Sequence, residues 1–534
     1  MIPRKLVALG IDAPNHKLLA QWMNGGLLPN LEYFRRAGVS GAFTHTKKYR
    51  NERCWQVFSQ GQTSEHTGYH FDPASYDFRF LSLHEGAVRP FYALPPPLRV
   101  CTFDALGPIP RAGDGWHISG WGSELNSTPS VSYPPKLISD LIATFGHYPV
   151  TRDAFKVRNQ TNGQWEESTA LPNLNDANAL RKLQCHLIAA VKTRGSICEY
   201  LLKAQLWDLF LGVFCEAHTA NHLLWHCSEP YPVSTSINGG THALLPVYQA
   251  IDEQIGRLVA QFKDSHNFLL FTLDETGPNT MDVPTMALLP ELMYRWNCGE
   301  GLLVGEDTFK DHSAQTVHSQ EHWKEYLWRL VSDRGQQLLE SPLQQQRRGD
   351  PLSWNPANWY RPLWPTLRAF ALPSASDGHI RLNVAGREAK GLVSPENFGV
   401  TVDNIVQMLE RCTDPLSGQA AVANIIRTRQ SAFERSEIEP DIIVSWTTTQ
   451  PLNALAEKYI GQIGPLPFFR SGGHLNHGET IHNEFFALGP NLPKGQRMET
   501  GQLCDLPATI LSLIAPALAA RLPGNSLIPL GLNA

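Results

Sequence analysis

Two histidines stand four residues apart in the stretch CEAHTANHLLWH, residues 215–226: His218 and His222. Residues at this spacing share one face of a helix, so both imidazole rings can reach a single metal ion. The spacing by itself is weak, because a polar stripe that faces solvent has the same form. The pair follows a strand-like run that ends at Glu216, where ligand sites lie in α/β proteins, and this position favours a metal site.

A glycine-rich turn far downstream carries two further histidines, His474 and His477, in RSGGHLNHGETIHNEFFALGP. Glycines let the backbone approach a ligand closely, although a surface loop has the same composition. Arg470 stands at the start of this turn and can hold an anionic group of a substrate through two parallel hydrogen bonds. A structural role for Arg470 is an equally good interpretation.

Acidic residues end several of the predicted strands. Asp12 ends KLVALGID, Glu216 ends WDLFLGVFCE, and Asp274 and Glu275 follow in TLDETGPN. Because the ligand site of such a sheet lies beyond the carboxyl ends of its strands, we expect these side chains close to the histidines. Asp274 and Glu275 could bind a metal or simply start a turn, and Glu216, Asp274 and Glu275 are candidate general bases. Asp12 can alternatively cap the helix that follows it.

Short apolar runs alternate with amphipathic helical patterns along the chain. HKLLAQWMNGG is predicted to be a helix closed by glycine, and HALLPVYQAIDEQIGRLVAQF is predicted to be another helix. The runs predicted as buried strands are KLVALGID, WDLFLGVFCE, NFLLFTLDE, PDIIVSW and NEFFALGP. This alternation predicts an α/β fold with a largely parallel central sheet, helices on both of its faces, and loop insertions.

Length and composition narrow the class of protein. The 534 residues are predicted to form a single domain, 1–534, with an inserted Pro-, Trp- and Gln-rich excursion at 330–372. A formal net charge of −5 without a basic stripe argues against nucleic acid as a partner. No window approaches the roughly 20 apolar residues of a membrane span, so no membrane partner is expected. Nine dispersed cysteines without a CxxC pair indicate reduced thiols and a cytoplasmic protein.

In their order along the chain, these segments resemble the type I phosphodiesterase/nucleotide pyrophosphatase branch of the alkaline phosphatase superfamily. LVALGIDAP is similar to the first strand of that family with its metal-binding aspartate, and RNERCWQVFSQGQTSEHTGYH resembles the segment that carries the nucleophile. CEAHTANHLLWH and RSGGHLNHG resemble the segments that carry metal-binding histidines. The resemblance implies an alkaline-phosphatase-like fold for the chain.

Members of this family generally hold two metal ions, usually zinc, on either side of a nucleophile. Transferred to this chain, the resemblance implies one site formed by His218, His222 and His474, whose three nitrogen ligands and open position suit a catalytic zinc ion. It implies a second site formed by Asp12, the nucleophile position and an acidic pair that ends the strand near 272–276. We therefore expect one zinc ion, with a second divalent ion as an alternative.

Two departures from the family pattern bear on the chemistry. The nucleophile position is Asn51, whose carboxamide cannot form the covalent intermediate of Thr or Ser but can bind a metal or contact a substrate. Cys54 is a weaker candidate for a replacement nucleophile. The family sequence SDHGM is replaced by TLDETGPN, where Leu273 and Asp274, or Asp274 and Glu275, take the places of its Asp-His pair. The second site is then all oxygen, which favours a harder ion or none.

The resemblance and these departures together predict a metal-dependent hydrolase. Its substrate is expected to be a small phosphodiester or phosphate, or a related sulfate or phosphonate ester, attacked by a metal-activated water molecule. Two alternatives stay open. One is an enzyme of the same fold with non-hydrolytic chemistry, such as group transfer or elimination, and the other is a non-catalytic protein that binds a ligand.

Overall fold

The computed structural model describes residues 5–46, 54–62, 69–80, 89–110, 115–122, 130–152, 156–161, 164–169, 172–233, 242–303, 323–350, 352–374, 376–436, 438–447, 449–475, 480–490 and 492–529. Within these ranges the strands, in chain order, are β1 (Leu6–Asp12), β2 (Val39–Thr46), β3 (Tyr69–Asp72), β4 (Asp77–Phe80), β5 (Val100–Phe103), β6 (Trp116–Ser119), β7 (Val131–Tyr133), β8 (Lys156–Thr161), β9 (Gln164–Thr169), β10 (Leu209–Phe214), β11 (Asn267–Leu273), β12 (Thr276–Pro278), β13 (Ala369–Leu372), β14 (Gly378–Leu382), β15 (Val422–Arg427), β16 (Ile442–Trp446), β17 (Leu455–Glu457), β18 (Gly461–Ile463), β19 (Gly472–His474), β20 (Thr480–Leu488), β21 (Gln496–Arg497) and β22 (Gly501–Gln502).

The helices within the same ranges are α1 (His16–Asn24), α2 (Pro29–Ala37), α3 (Cys54–Gln60), α4 (Leu137–Phe145), α5 (Pro149–Arg152), α6 (Ala177–Ala204), α7 (Glu216–Leu224), α8 (Leu245–Phe262), α9 (Leu289–Cys298), α10 (Trp323–Arg329), α11 (Asp333–Leu338), α12 (Pro342–Arg347), α13 (Pro356–Trp359), α14 (Phe398–Glu410), α15 (Asp505–Ile514) and α16 (Pro516–Ala519). A π-helical turn, Pro284–Leu288, precedes α9, and 3-10 turns cover Trp225–Cys227, Arg361–Thr366 and Pro395–Asn397.

Ten of the described strands form the principal sheet, in the order β21-β2-β20-β11-β1-β10-β5-β6-β7, with β22 also paired to β2. The five strands at its centre, β11, β1, β10, β5 and β6, run parallel, and β20 and β7 flank them in the antiparallel direction. The predicted α/β fold with a largely parallel central sheet is confirmed, and KLVALGID, WDLFLGVFCE and NFLLFTLDE contain its three innermost strands.

Helices cover both faces of this sheet, as predicted. Along β1, Val7 and Leu9 belong to one hydrophobic core and Leu6 and Ala8 to another, because successive side chains of a strand point to opposite faces. Helices α1, α2, α6, α7 and α8 pack into the first core, and α3 and α15 pack into the second. Among the described residues, no helix combines the length and the apolar character that crossing a membrane requires.

A smaller antiparallel sheet has the order β13-β14-β16-β15. PDIIVSW, predicted as a buried strand, forms β16 in this sheet. An apolar run indicates burial but does not specify the pairing partner. Residues of the stretch 330–372 form α11, α12, α13 and a 3-10 turn. Trp359 and Trp364 of that stretch are buried in the hydrophobic core of the smaller sheet, which makes the stretch part of the packed interior.

Candidate metal centre

Three histidines converge at the carboxyl end of the principal sheet. His218 and His222 lie on α7, which follows β10, and His474 ends the short strand β19. Nε2 of His218 lies 2.8 Å from Nε2 of His222 and 3.1 Å from Nε2 of His474. One ligand atom from each of the three residues lies within 4.8 Å of the others. The fold therefore brings together the three histidines that were predicted to share one metal ion.

The outer ring nitrogen of each histidine faces an oxygen atom. Nδ1 of His218 lies 2.8 Å from Oδ2 of Asp12, and Nδ1 of His222 lies 2.7 Å from the carbonyl oxygen of Gly472. Nδ1 of His474 lies 3.4 Å from Oδ2 of Asp274, at ion-pair distance but without hydrogen-bond geometry. An oxygen acceptor at Nδ1 favours the tautomer with its proton there, which leaves a lone pair on Nε2.

This donor set fits a zinc ion. Three imidazole nitrogens with a carboxylate or a carbonyl oxygen behind each ring are typical of catalytic zinc sites, which keep a further position open for water or substrate. Burial lowers the pKa of His222 well below its usual value, and the positive charge of Arg470 lowers it further. A ring that stays neutral keeps its lone pair available to a metal.

Asp12 and Asp274 lie behind the histidines rather than among them. Asp12 is 2% exposed, and its Oδ1 accepts a hydrogen bond of 2.7 Å from Nε1 of Trp55, while its Oδ2 faces His218. Oδ1 of Asp274 accepts a hydrogen bond of 2.9 Å from the backbone N–H of Glu275. Both carboxylates were predicted to be metal ligands. The structure places Asp12 at hydrogen-bond distance from His218 and Asp274 at ion-pair distance from His474, and a direct bond to a metal stays a prediction.

Exchanging Asp12 for asparagine is expected to weaken zinc binding about 10- to 100-fold, because outer-shell partners of metal ligands typically contribute that much. The change keeps the shape of the side chain but removes the negative charge behind His218. Zinc affinity is measured by titration against a competing chelator. Asp252→Asn is the matched control, because Asp252 is also buried but binds Asn30 and Leu31. Equal effects of the two substitutions would contradict the orienting role of Asp12.

Backbone strain marks the ends of the two strands next to the histidines. Ala13 (φ 46°) and Asp274 (φ 68°) have left-handed conformations, which cost about 1–3 kcal/mol each unless the surroundings hold them. The carbonyl oxygen of Ala13 accepts hydrogen bonds from Nδ2 of Asn221 at 3.0 Å and from Oγ1 of Thr276 at 2.7 Å. Asn221, fully buried, thus ties α7 to the end of β1. Asn221 was not predicted from the sequence to belong to the site, although its position between His218 and His222 in HTANH could have indicated it.

Glu216 faces away from this centre, which argues against its predicted role as a catalytic base. Its carboxylate is fully buried and accepts hydrogen bonds of 2.9 and 3.1 Å from Nε of Arg194. Nη1 of Arg194 donates to Oδ2 of Asp104, also fully buried, at 2.9 Å. Burial raises the pKa of Glu216, and the charge of Arg194 opposes this rise. The ion-paired carboxylate holds α7 to α6 and is closed off from any substrate.

Glu275 and Arg470 keep part of their surface exposed near the centre. Oε2 of Glu275 lies 3.5 Å from Nδ1 of His16, and its side chain is 19% exposed. Nε of Arg470 donates to Oδ2 of Asp282 at 2.8 Å. The predicted roles of Glu275 as a base and of Arg470 as a substrate contact stay predictions.

The predicted nucleophile position, Asn51, lies outside the described residues, and so does His477. The structure resumes at Cys54, where α3 begins. Cys54 is 2% exposed and belongs to a hydrophobic core. Burial of this thiol argues against Cys54 as a replacement nucleophile.

Comparison with known proteins finds likeness in structure alone. No protein-family model matches the sequence, and no curated protein does so. Murine ectonucleotide pyrophosphatase/phosphodiesterase 5 is similar with 11% sequence identity and a TM-score of 0.44. An inactive variant of that protein in complex with AMP is similar with 10% identity and a TM-score of 0.42. Both likenesses cover 98% of this chain and 100% of the other.

Proposed function

We propose that this protein is a zinc-dependent hydrolase of a small phosphodiester or phosphate, or of a related sulfate or phosphonate ester. The observation that carries the proposal is the mutual approach of the Nε2 atoms of His218, His222 and His474. Lone pairs at such separations repel one another unless a proton or a metal ion lies between them. A histidine that is only packed uses its two nitrogens on separate partners, as His226 does with Ser471 and Leu174.

A zinc ion held by these three rings would lower the pKa of a water molecule and polarise an ester oxygen. The protein's own residues set the geometry: Asp12 orients His218, the carbonyl oxygen of Gly472 orients His222, and Asp274 lies behind His474. The chain offers Asp274 and Glu275 as partly exposed carboxylates that would accept a proton as general base.

Asn51 shapes the proposed route because it has no hydroxyl group. A carboxamide cannot attack the ester to form a covalent intermediate, so a single displacement by water is the proposed reaction. In that reaction the amide of Asn51 donates a hydrogen bond to the substrate.

The proposal is tested by metal content and by turnover of the purified full-length chain. We expect about one zinc ion per chain by plasma mass spectrometry, and hydrolysis of bis(4-nitrophenyl) phosphate, 4-nitrophenyl phosphate or 4-nitrophenyl sulfate that a chelator abolishes and added zinc restores. A protein without metal and without turnover would be a binding protein instead. Bound zinc without hydrolysis of any of these esters would favour the non-hydrolytic alternative.

Introducing a hydroxyl group at position 51 is expected to change the route. Asn51→Thr should increase phosphodiesterase turnover and allow a phosphoryl group to accumulate on the protein, because threonine can act as the nucleophile. The covalent group is detected by intact mass spectrometry after rapid quenching. Asn51→Val, which has the shape of threonine without its hydroxyl, is the control. Equal turnover by the Thr and Val variants would show that position 51 does not reach the reacting atom.

A further inference from the structure

The segment 470–474 runs along the end of α7. It contains His474, one of the three proposed metal ligands, and the positively charged Arg470. The backbone N–H of Ser471 donates to the carbonyl oxygen of His222 at 3.0 Å, and the carbonyl oxygen of Gly472 lies 2.7 Å from Nδ1 of His222. Arg470 directly precedes Ser471, so the backbone contact of Ser471 with His222 places Arg470 next to the carboxyl-terminal end of α7.

Asp282 holds this guanidinium group by one nitrogen. Nε of Arg470 donates to Oδ2 of Asp282 at 2.8 Å, and Asp282 is 3% exposed. Among the described residues, none accepts a hydrogen bond from either Nη group of Arg470, and its side chain is 20% exposed. A guanidinium group has five N–H donors, so the four donors on the Nη groups can serve a ligand.

The same polar network fixes Arg470 and the metal-binding His222. Oδ2 of Asp282 also accepts a hydrogen bond of 2.7 Å from Nδ2 of Asn279. Nδ2 of Asn279 lies 3.5 Å from the carbonyl oxygen of Gly472, the acceptor of His222. Oδ1 of Asn279 accepts from the backbone N–H groups of Met281 and Asp282, which closes the turn. The turn 279–282 therefore sets the position of the arginine relative to the histidine group.

We propose that Arg470 is the anion-binding group of this site and that Asp282 is the positioning residue that aims it. Because Nε is occupied by Asp282, the edge formed by the two Nη groups faces the ligand. Two parallel N–H donors match an anion with two oxygen atoms on one phosphorus or sulfur atom. The inference rests on the proposed hydrolase function, and it names the group by which the substrate is held. Asp282 acts through Arg470 and does not touch the substrate.

A double-mutant cycle on the zinc-loaded protein tests this assignment with inorganic phosphate as the probe. Arg470→Gln should raise the Kd of phosphate about 10- to 100-fold, the range that corresponds to losing hydrogen bonds to a charged group. Asp282→Asn should raise it about tenfold, because the arginine loses its charged anchor. In the double variant, the Asp282 change should add nothing to the effect of Arg470→Gln. Calorimetry measures the Kd, and plasma mass spectrometry checks that zinc content is unchanged.

A matched control separates positioning from general destabilisation. Glu291 is a buried carboxylate that accepts from Nε of Arg295 at 2.8 Å, the same arrangement as in the Asp282–Arg470 pair. Glu291→Gln should leave the Kd of phosphate unchanged. The assignment is overturned if Arg470→Gln leaves phosphate binding intact, or if the two substitutions have additive effects.

Turnover gives a second measurement that a purely structural role would not reproduce. Arg470→Gln and Asp282→Asn should raise KM for bis(4-nitrophenyl) phosphate while kcat stays nearly constant, because a ground-state contact also present in the transition state affects KM. Equal losses in kcat without a change in KM would overturn the assignment. Phosphate binding needs no turnover, so a protein that binds phosphate through Arg470 but hydrolyses no ester would contradict the hydrolase and not the anion-binding group.

Discussion

Replacing His218 with alanine is expected to remove the zinc ion and nearly all hydrolytic activity. Nε2 of His218 lies 2.8 Å from Nε2 of His222 and 3.1 Å from Nε2 of His474. The substitution therefore leaves only two of the three nitrogen ligands, those of His222 and His474. Losing a direct ligand should weaken zinc binding by more than the roughly 10- to 100-fold that losing an outer-shell partner costs. Zinc content after dialysis and kcat/KM for bis(4-nitrophenyl) phosphate measure the two effects.

His226 provides the control for this substitution. It belongs to the same stretch, CEAHTANHLLWH, but its Nδ1 lies 2.8 Å from Oγ of Ser471 and its Nε2 lies 2.8 Å from the carbonyl oxygen of Leu174. Burial lowers the pKa of His226 to about 4, as for a structural imidazole that stays neutral. His226→Gln should keep about one zinc ion per folded chain. A His218→Ala protein that also keeps its zinc would exclude the three-histidine group as the metal centre.

Replacing Arg194 with methionine is expected to lower the free energy of unfolding by about 3–5 kcal/mol, because it leaves two buried carboxylates without their counter-charge. Arg194, Asp104 and Glu216 are all fully buried, and the arginine donates to both acids.

The decrease in the free energy of unfolding caused by Arg194→Met should be smaller at pH 5 than at pH 8. Burial without a cation raises the folded-state pKa of a carboxyl above its unfolded value, so that this destabilisation grows as the pH rises. Chemical denaturation at several pH values measures it.

An exposed ion pair between α8 and α6 is the control. Nη2 of Arg257 lies 3.0 Å from Oε2 of Glu199, and the arginine side chain is 50% exposed. Arg257→Met should lower the free energy of unfolding by at most about 1 kcal/mol, since water screens such pairs.

Glu216→Gln should also lower the free energy of unfolding and leave kcat of the remaining folded protein nearly unchanged. A large loss of kcat in a stable Glu216→Gln protein would restore Glu216 as a catalytic residue.

Much of the scaffold was predictable from local pattern. The apolar runs that form β1, β10 and β11 were recognisable because a parallel strand covered on both faces must be apolar along its whole length. The amphipathic pattern of residues 242–262 predicted α8. The four-residue spacing placed His218 and His222 on one face of a helix. PDIIVSW was equally recognisable as a strand, but its pattern contained nothing that assigned it to the smaller sheet.

The sequence by itself determined which ligand types this site has: two imidazoles on one helix, a third in a glycine-rich turn, acids at strand ends, and no hydroxyl at position 51. Only the tertiary structure decided which acid serves which purpose. Glu216 lies two residues before His218, about 200° around the helix axis, and therefore faces the buried side, where Arg194 meets it. Asp12 ends β1 and Asp274 directly follows β11. The parallel register that sets these two strand ends side by side also sets each carboxylate behind a histidine. Spacing along the chain specifies neighbours within one helix or strand, whereas contacts over more than 200 residues depend on how the sheet is assembled.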